Sequence, residues 1–213
     1  MLIFRAMSAL LSYPSQDMRQ ALPEIAEVVH ASPLLAERER QGLLDLIDEL
    51  GHGALLEVEE HYVDLFDRGR ALSLNLFEHL HGDSRDRGEA MVDLKRVYAG
   101  AGFALSASEL PDYLPVLLEY LSCRDLAEAR AMLADCAHIL ATIARSLIAR
   151  QSRYAAVLQA LLVIAGEAPV DSADVPPVME RRDALDRDWA EQPAFAGAPA
   201  PAPAAPFTSK AGI

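Results

Sequence analysis

Apolar residues recur every three or four positions along most of the chain, the period at which one face of a helix meets a core. Ile3, Met7, Leu10 and Leu11 predict a first amphipathic helix that Pro14 stops. Ile25, Val28 and Val29 mark a second, and Leu43, Leu44, Ile47 and Leu50 a third, closed by Gly51. Tyr62, Leu65 and Phe66 mark another, and Met91, Leu94 and Tyr98 one more. Met132, Cys136, Ile139, Leu140, Ile143 and Leu147 read as one stripe of about four turns. Tyr154, Val157, Leu158, Leu161 and Leu162 repeat the pattern before Gly166. Strand-like alternation of β-branched residues is nearly absent, and no Asn-Gly hairpin signal occurs. The expected fold class is all-α, a compact multi-helix bundle.

Pro111 and Pro115, four apart, look hostile to a helix. With Asp112 as the N-cap, however, Pro115 falls at the third helical position, where its missing N–H has no intrahelical partner to lose. Leu114, Leu117, Leu118 and Leu121 then share the buried side. Glu109-Leu110-Pro111-Asp112 is thus expected to be a rigid corner, with acidic groups at the positive end of the next helix.

Proline usage divides the chain: eight of its 13 prolines lie at or beyond Pro169. A run such as Pro199-Ala200-Pro201-Ala202-Pro203 cannot hold helix hydrogen bonds and is expected to be extended and solvated. The domains are therefore read as 1–166, an all-helical domain, and 167–213, an acidic then Ala/Pro-rich tail. With 213 residues, 52% of them hydrophobic, the chain has ample material for a core. The net charge of -13 argues against a surface that tracks phosphates, so no nucleic-acid partner is expected. No apolar run is long enough for a membrane span. The N-terminal Met1–Arg5 lacks a basic leader followed by an A-x-A cleavage pattern, so it is read as part of the fold. Two cysteines, Cys123 and Cys136, are too few for a disulfide framework and fit a cytoplasmic location.

Catalytic chemistry finds little support. A carboxylate-bridged di-iron site needs two Glu-x-x-His strings and two more glutamates at mid-bundle. The strings present, Glu27–His30 and Glu78–His81, lie at helix ends. Glu59-Glu60-His61 lacks the upstream histidine of a zinc hydrolase, and no G-x-S-x-G occurs. Cys136 sits on an apolar stripe and reads as a small buried hydrophobe. No metal ligand, catalytic residue or stably bound cofactor is assigned.

The unusual feature is a dense polar stretch, Phe77-Glu78-His79-Leu80-His81-Gly82-Asp83-Ser84-Arg85-Asp86-Arg87-Gly88, preceded by a helix ending in Arg68 and Arg70. Asp83 or Ser84 is the expected cap of the helix that follows, and the arginines can build a polar network with the carboxylates. The strings Tyr62–Arg70, Leu76–His79 through Gly82, Ser84–Met91 and Glu109–Pro115 resemble the NarJ branch of the TorD/DmsD/NarJ redox-enzyme maturation chaperones. The resemblance covers nearly all of 1–166, with a weaker echo in Ala184-Leu185-Asp186 and Trp189. It departs at Tyr113, where relatives often carry histidine, which favours a steric or hydrogen-bonding role there over proton transfer.

The resemblance implies a cytoplasmic, non-catalytic chaperone of respiratory nitrate reductase. Its partner would be the apoprotein of the catalytic (alpha) subunit, including its N-terminal twin-arginine-like peptide, with the alpha–beta complex as a further option. The molybdenum cofactor and iron–sulfur clusters would belong to that client, which the chaperone keeps competent for their insertion before membrane docking. We therefore expect a peptide-binding groove beside Tyr62, Phe66, Phe77, His79 and Tyr113. Glu78, Asp83, Asp86, Glu109 and Asp112 would offer carboxylates, and Arg68, Arg70, Arg85 and Arg87 would orient them. Titration of His79 and His81 would make release pH-sensitive. Trp189 reads equally as a docking motif or a helix remnant. Two other classes stay open on sequence: a helical enzyme such as a di-iron protein, and a helical adaptor with an unrelated partner.

Overall fold

The three most apolar helices explain the arrangement of the rest. In the computed structural model, which describes residues 1–81, 85–106 and 109–175 (without the side chains of His81 and Arg85), α1 is Leu2–Leu11, α7 Leu114–Ser122 and α10 Ala155–Ala165. Phe4, Met7, Leu10 and Leu11 of α1 are wholly buried, as are Leu114, Leu118 and Leu121 of α7. These two helices pack along each other, and the Ser8 hydroxyl donates to the Pro115 carbonyl at 2.9 Å across their contact. α10 buries Val157, Leu158, Leu161, Leu162 and Ile164. It ends at Gly166 in the left-handed region (φ 92°), where the Glu167 N–H returns to the Leu162 carbonyl.

Around them lie the amphipathic helices: α2 Gln16–Ala31, α3 Glu37–His52, α4 Leu55–Phe66, α5 Leu76–His81, α6 Arg85–Gly100, α8 Leu126–Asp135 and α9 Ala137–Ala149. α3 approaches α10 closely; a Cβ on Gly42 would stand 3.1 Å from that of Ala156. Among the described residues there is no strand, only an isolated antiparallel bridge between Asn75 and Tyr113. The all-α expectation is met.

Three boundaries differ from the sequence reading. The third helix runs past Gly51 to His52, because glycine weakens a helix without stopping it when the flanking turn is packed. The stripe from Met132 to Leu147 is two helices, α8 and α9, bent by 68° at Cys136. The bend preserves the three-four spacing, so periodicity alone cannot reveal it. The Cys136 thiol donates back to the Met132 and Leu133 carbonyls at 3.4 Å, and burial pushes its pKa up to about 12. Finally, Asp112 does not cap its own helix. α7 begins at Leu114 with Tyr113 in the cap position and Pro115 second.

Packing continues beyond Gly166: the Gln159 amide exchanges two hydrogen bonds with the backbone of Val170, at 2.7 and 2.8 Å. Trp189 and the Ala/Pro-rich segment lie outside the described residues. No single described helix is long and apolar enough to cross a membrane.

One arginine organises the α2–α3 connection. The Arg40 guanidinium donates to the carbonyls of Val29 (3.0 Å), Ser32 (3.4 Å) and Leu35 (3.0 Å), and also to that of His30. It thereby satisfies the open carboxyl end of α2, where a positive charge is also favoured. Arg40→Met keeps the aliphatic stem but drops these bonds. It is expected to cost about 2 kcal/mol in urea unfolding, the scale of charged hydrogen bonds in a partly buried site. An unchanged midpoint would show the carbonyls equally content with water.

Candidate functional site

The Leu110–Leu114 corner is tied to the segment before α5 by backbone bonds. The Leu76 N–H donates to the Asp112 carbonyl at 2.9 Å, and the Leu114 N–H to the Leu74 carbonyl at 2.8 Å. From α6, the buried Tyr98 hydroxyl donates to the Pro111 carbonyl at 2.9 Å. This pairing fixes the turn at Pro111-Asp112 and brings the Asp112 side chain to the start of α5. There Oδ2 accepts the Phe77 N–H at 3.1 Å. Asp112 is thus an N-cap supplied from a distant part of the chain.

The Asp112 carboxylate is 0% exposed. The Arg87 guanidinium lies 3.8 Å from its Oδ2 and 3.1 Å from Oε1 of Glu78, so one cation sits between two acids. Oδ1 of Asp112 has no hydrogen-bond partner among the described residues. Burial raises the pKa of this group, more than the Phe77 N–H and Arg87 lower it.

A second cluster joins the corner to α4. The Tyr62 hydroxyl donates to the Leu11 carbonyl at 2.9 Å and lies 3.1 Å from that of Tyr113. Since the Tyr62 proton is committed to Leu11, Tyr113 is the donor between the two phenols. Burial drives the Tyr62 pKa well upward. Tyr62, Phe66 and Tyr154 stack with ring centroids 4.8–6.1 Å apart, and Tyr13 meets the Tyr62 ring edge-on at 5.7 Å.

Tyr62 and Phe66, at 4% and 6% exposure, and Asp112 therefore face the interior and shape the site from behind. Phe77, Glu78 and Tyr113 are half-buried, while Asp86 and Glu109 are exposed. Glu109 accepts the Ser106 N–H at 3.1 Å. Nε2–H of His79 donates to the Ser73 carbonyl at 2.8 Å. Arg68 pairs with Asp64 on the outer side of α4 at 3.0 Å, and Arg70 opens a short 3-10 turn, Arg70–Leu72. Asp83 and the side chains of His81 and Arg85 lie outside the described residues. No three His, Cys, Asp or Glu side chains gather as a metal ion requires, among the described residues.

One accessible concavity lies on the outer face of α4, where Tyr13 meets Tyr62. Tyr13, Leu56 and Val63 supply its apolar lining, Glu59 and Glu60 its acidic edge, and the Asp64–Arg68 ion pair closes one side; its volume is about 390 Å³. Leu56 is 65% exposed and Tyr13 49%. Among the described residues neither Glu59 nor Glu60 has an ion-pair partner, so both keep carboxylate capacity for an incoming cation. Sequence reasoning missed these residues. Tyr13 is about 50 positions from the others, and only the acidic edge around the Leu56–Val63 pair, one heptad apart on α4, hinted at them.

A family described as the nitrate reductase delta subunit matches residues 13–159. The chain is 43% identical over 191 residues to the nitrate reductase molybdenum cofactor assembly chaperone NarJ of Escherichia coli strain K12, covering 87% of this chain and 80% of that one. It is 36% identical to a probable chaperone of the same kind, NarW, from that strain, covering 90% and 82%. A probable NarJ of Bacillus subtilis strain 168 is 31% identical, covering 75% and 85%. With more than half of the chain matched and relatives aligned over most of their length, the chain belongs to the nitrate reductase delta subunit family.

Proposed function

We propose that this protein is a cytoplasmic, non-catalytic chaperone of nitrate reductase that binds the immature catalytic subunit by its N-terminal segment. The observation that carries the reading is a groove with apolar lining and two carboxylates, Glu59 and Glu60, without an ion-pair partner among the described residues, in a member of a family whose relatives are named cofactor assembly chaperones. A peptide with basic and apolar residues suits it: the apolar side chains cover Leu56, Val63 and Tyr13, and the cations meet Glu59 and Glu60. The overall charge of -13 speeds encounter with such a peptide and weakens that help as salt rises.

The corner serves as the rigid back wall. Tyr13 leans on Tyr62, Tyr62 on Tyr113, and Tyr113 belongs to the segment that Asp112 and Arg87 hold against α5 and α6. Asp86 and Glu109 are exposed and add to the acidic surface of the chain. The molybdenum cofactor and the iron–sulfur clusters are the client's; the chaperone delays its docking at the membrane until they are inserted.

Calorimetry tests this with a synthetic peptide matching the first residues of the source organism's nitrate reductase catalytic subunit. Micromolar binding that weakens severalfold between 50 and 300 mM salt is expected at about the strength of a short, partly ordered segment. Absence of heat and of competition at millimolar peptide would contradict the proposal.

A further inference from the structure

A second concavity shares no lining residue with the first. It lies between the start of α1, the second half of α2 and the Ser32–Leu34 loop, and holds about 800 Å³. Its floor is apolar, with Ile3, Val28 and Leu34, and Leu2 stands on its rim at 65% exposure. Glu24 and Glu27, one turn apart on α2, are the only charged side chains lining it, among the described residues. Neither has an ion-pair or hydrogen-bond partner there. The N-terminal ammonium, also at its edge, donates to the Ser122 carbonyl of α7. Arg40 ties this wall in place, bonding the Val29 and His30 carbonyls at the end of α2 and the Ser32 and Leu35 carbonyls on either side of Pro33-Leu34, so the loop is ordered in advance of any ligand.

We infer that this groove is a separate docking surface for a short amphipathic segment of a protein partner, one that presents two or three aliphatic side chains and a Lys or Arg to Glu24 and Glu27. Exposed aliphatic surface beside uncompensated carboxylates is costly for the free chain and complementary to that chemistry. A second copy of this chain is disfavoured, because each copy carries a net charge of -13 and would bring like charge to the acidic rim. The groove and the α4 site lie at opposite ends of α1, whose ten residues span about 15 Å, so occupancy of one leaves the other open.

The test uses the isotope-labelled full chain and an acetylated helical peptide of about 14 residues, with Leu at i, i+3, i+4 and i+7 and Lys between. In the Glu59→Lys/Glu60→Lys background, where the α4 site is disabled, amide shifts should change at Leu2, Val28 and Ala31. Adding Glu24→Lys/Glu27→Lys should weaken that binding at least tenfold, and so should Val28→Asp. The charge-reversed pair lies on an exposed helix face, so thermal melting stays near wild type and keeps the test valid if Val28→Asp fails to fold. A peptide with Glu in place of Lys should not bind. Shifts absent from these residues, or affinity indifferent to Glu24→Lys/Glu27→Lys, would overturn the inference. So would concentration-dependent dimerisation in sedimentation that Val28→Asp abolishes, which would assign the groove to a second copy.

Discussion

Asp112→Ala should remove about 3–5 kcal/mol of stability, the scale of breaking a nearly buried ion pair by deleting one partner. For a domain of this size that is roughly a 6–20 °C fall in melting midpoint. The substitution strips the cap from Phe77, removes one of the carboxylates beside Arg87, and frees the corner that orders Tyr113. Asp112→Asn should be milder, since its amide oxygen still accepts the Phe77 N–H. The pair of variants also has a pH signature. The folded carboxyl titrates above its unfolded value of 3.8, so between those two values the folded chain holds the extra proton. Stability therefore falls as pH rises through that window. Relative to Asp112→Asn, the wild type should gain in urea unfolding as pH is lowered from 7 towards 4. A wild type that loses against Asn on acidification would show that attraction to Arg87 outweighs burial.

Glu59→Lys/Glu60→Lys should lower affinity for the client's N-terminal peptide about 100-fold. Each charge-assisted bond is worth about 1.5–3 kcal/mol, and the low end applies at a solvent-washed edge. The fold should be unaffected within about 0.5 kcal/mol, because neither side chain supports the core. Calorimetry read beside melting curves separates the two effects. Unchanged affinity would move the client site elsewhere, and it would leave the α1–α2 groove untouched as a separate question.

The contrast between these variants reflects what a sequence can disclose. Helices and their buried faces follow from local spacing, which is why α1 and α10 are readable one residue at a time. The corner at Pro111 is visible too, because proline restricts its own neighbourhood. Where Asp112 points is not visible. Its partner, the Phe77 N–H, is 35 positions away and is fixed by a two-residue bridge that no periodicity encodes. The bend at Cys136 escapes for the opposite reason: the apolar spacing continues unbroken through it.

The candidate site shows the same division. Tyr62 and Phe66 read as apolar positions of a helix, and the structure places them in an aromatic cluster that backs the groove. Tyr113 shares a hydroxyl–hydroxyl bond with Tyr62, 51 positions away, a contact that no local spacing announces. The groove itself is assembled from Tyr13 and one face of α4, a union that only tertiary packing creates.

The central claim is that this chain acts on an immature nitrate reductase and performs no chemistry of its own. The most direct measurement is the molybdenum content of the catalytic subunit purified from cells lacking this chain and from the same cells complemented with it. The account predicts a subunit largely devoid of molybdenum in the first case and near-stoichiometric loading in the second. Full loading and activity without the chain would contradict it.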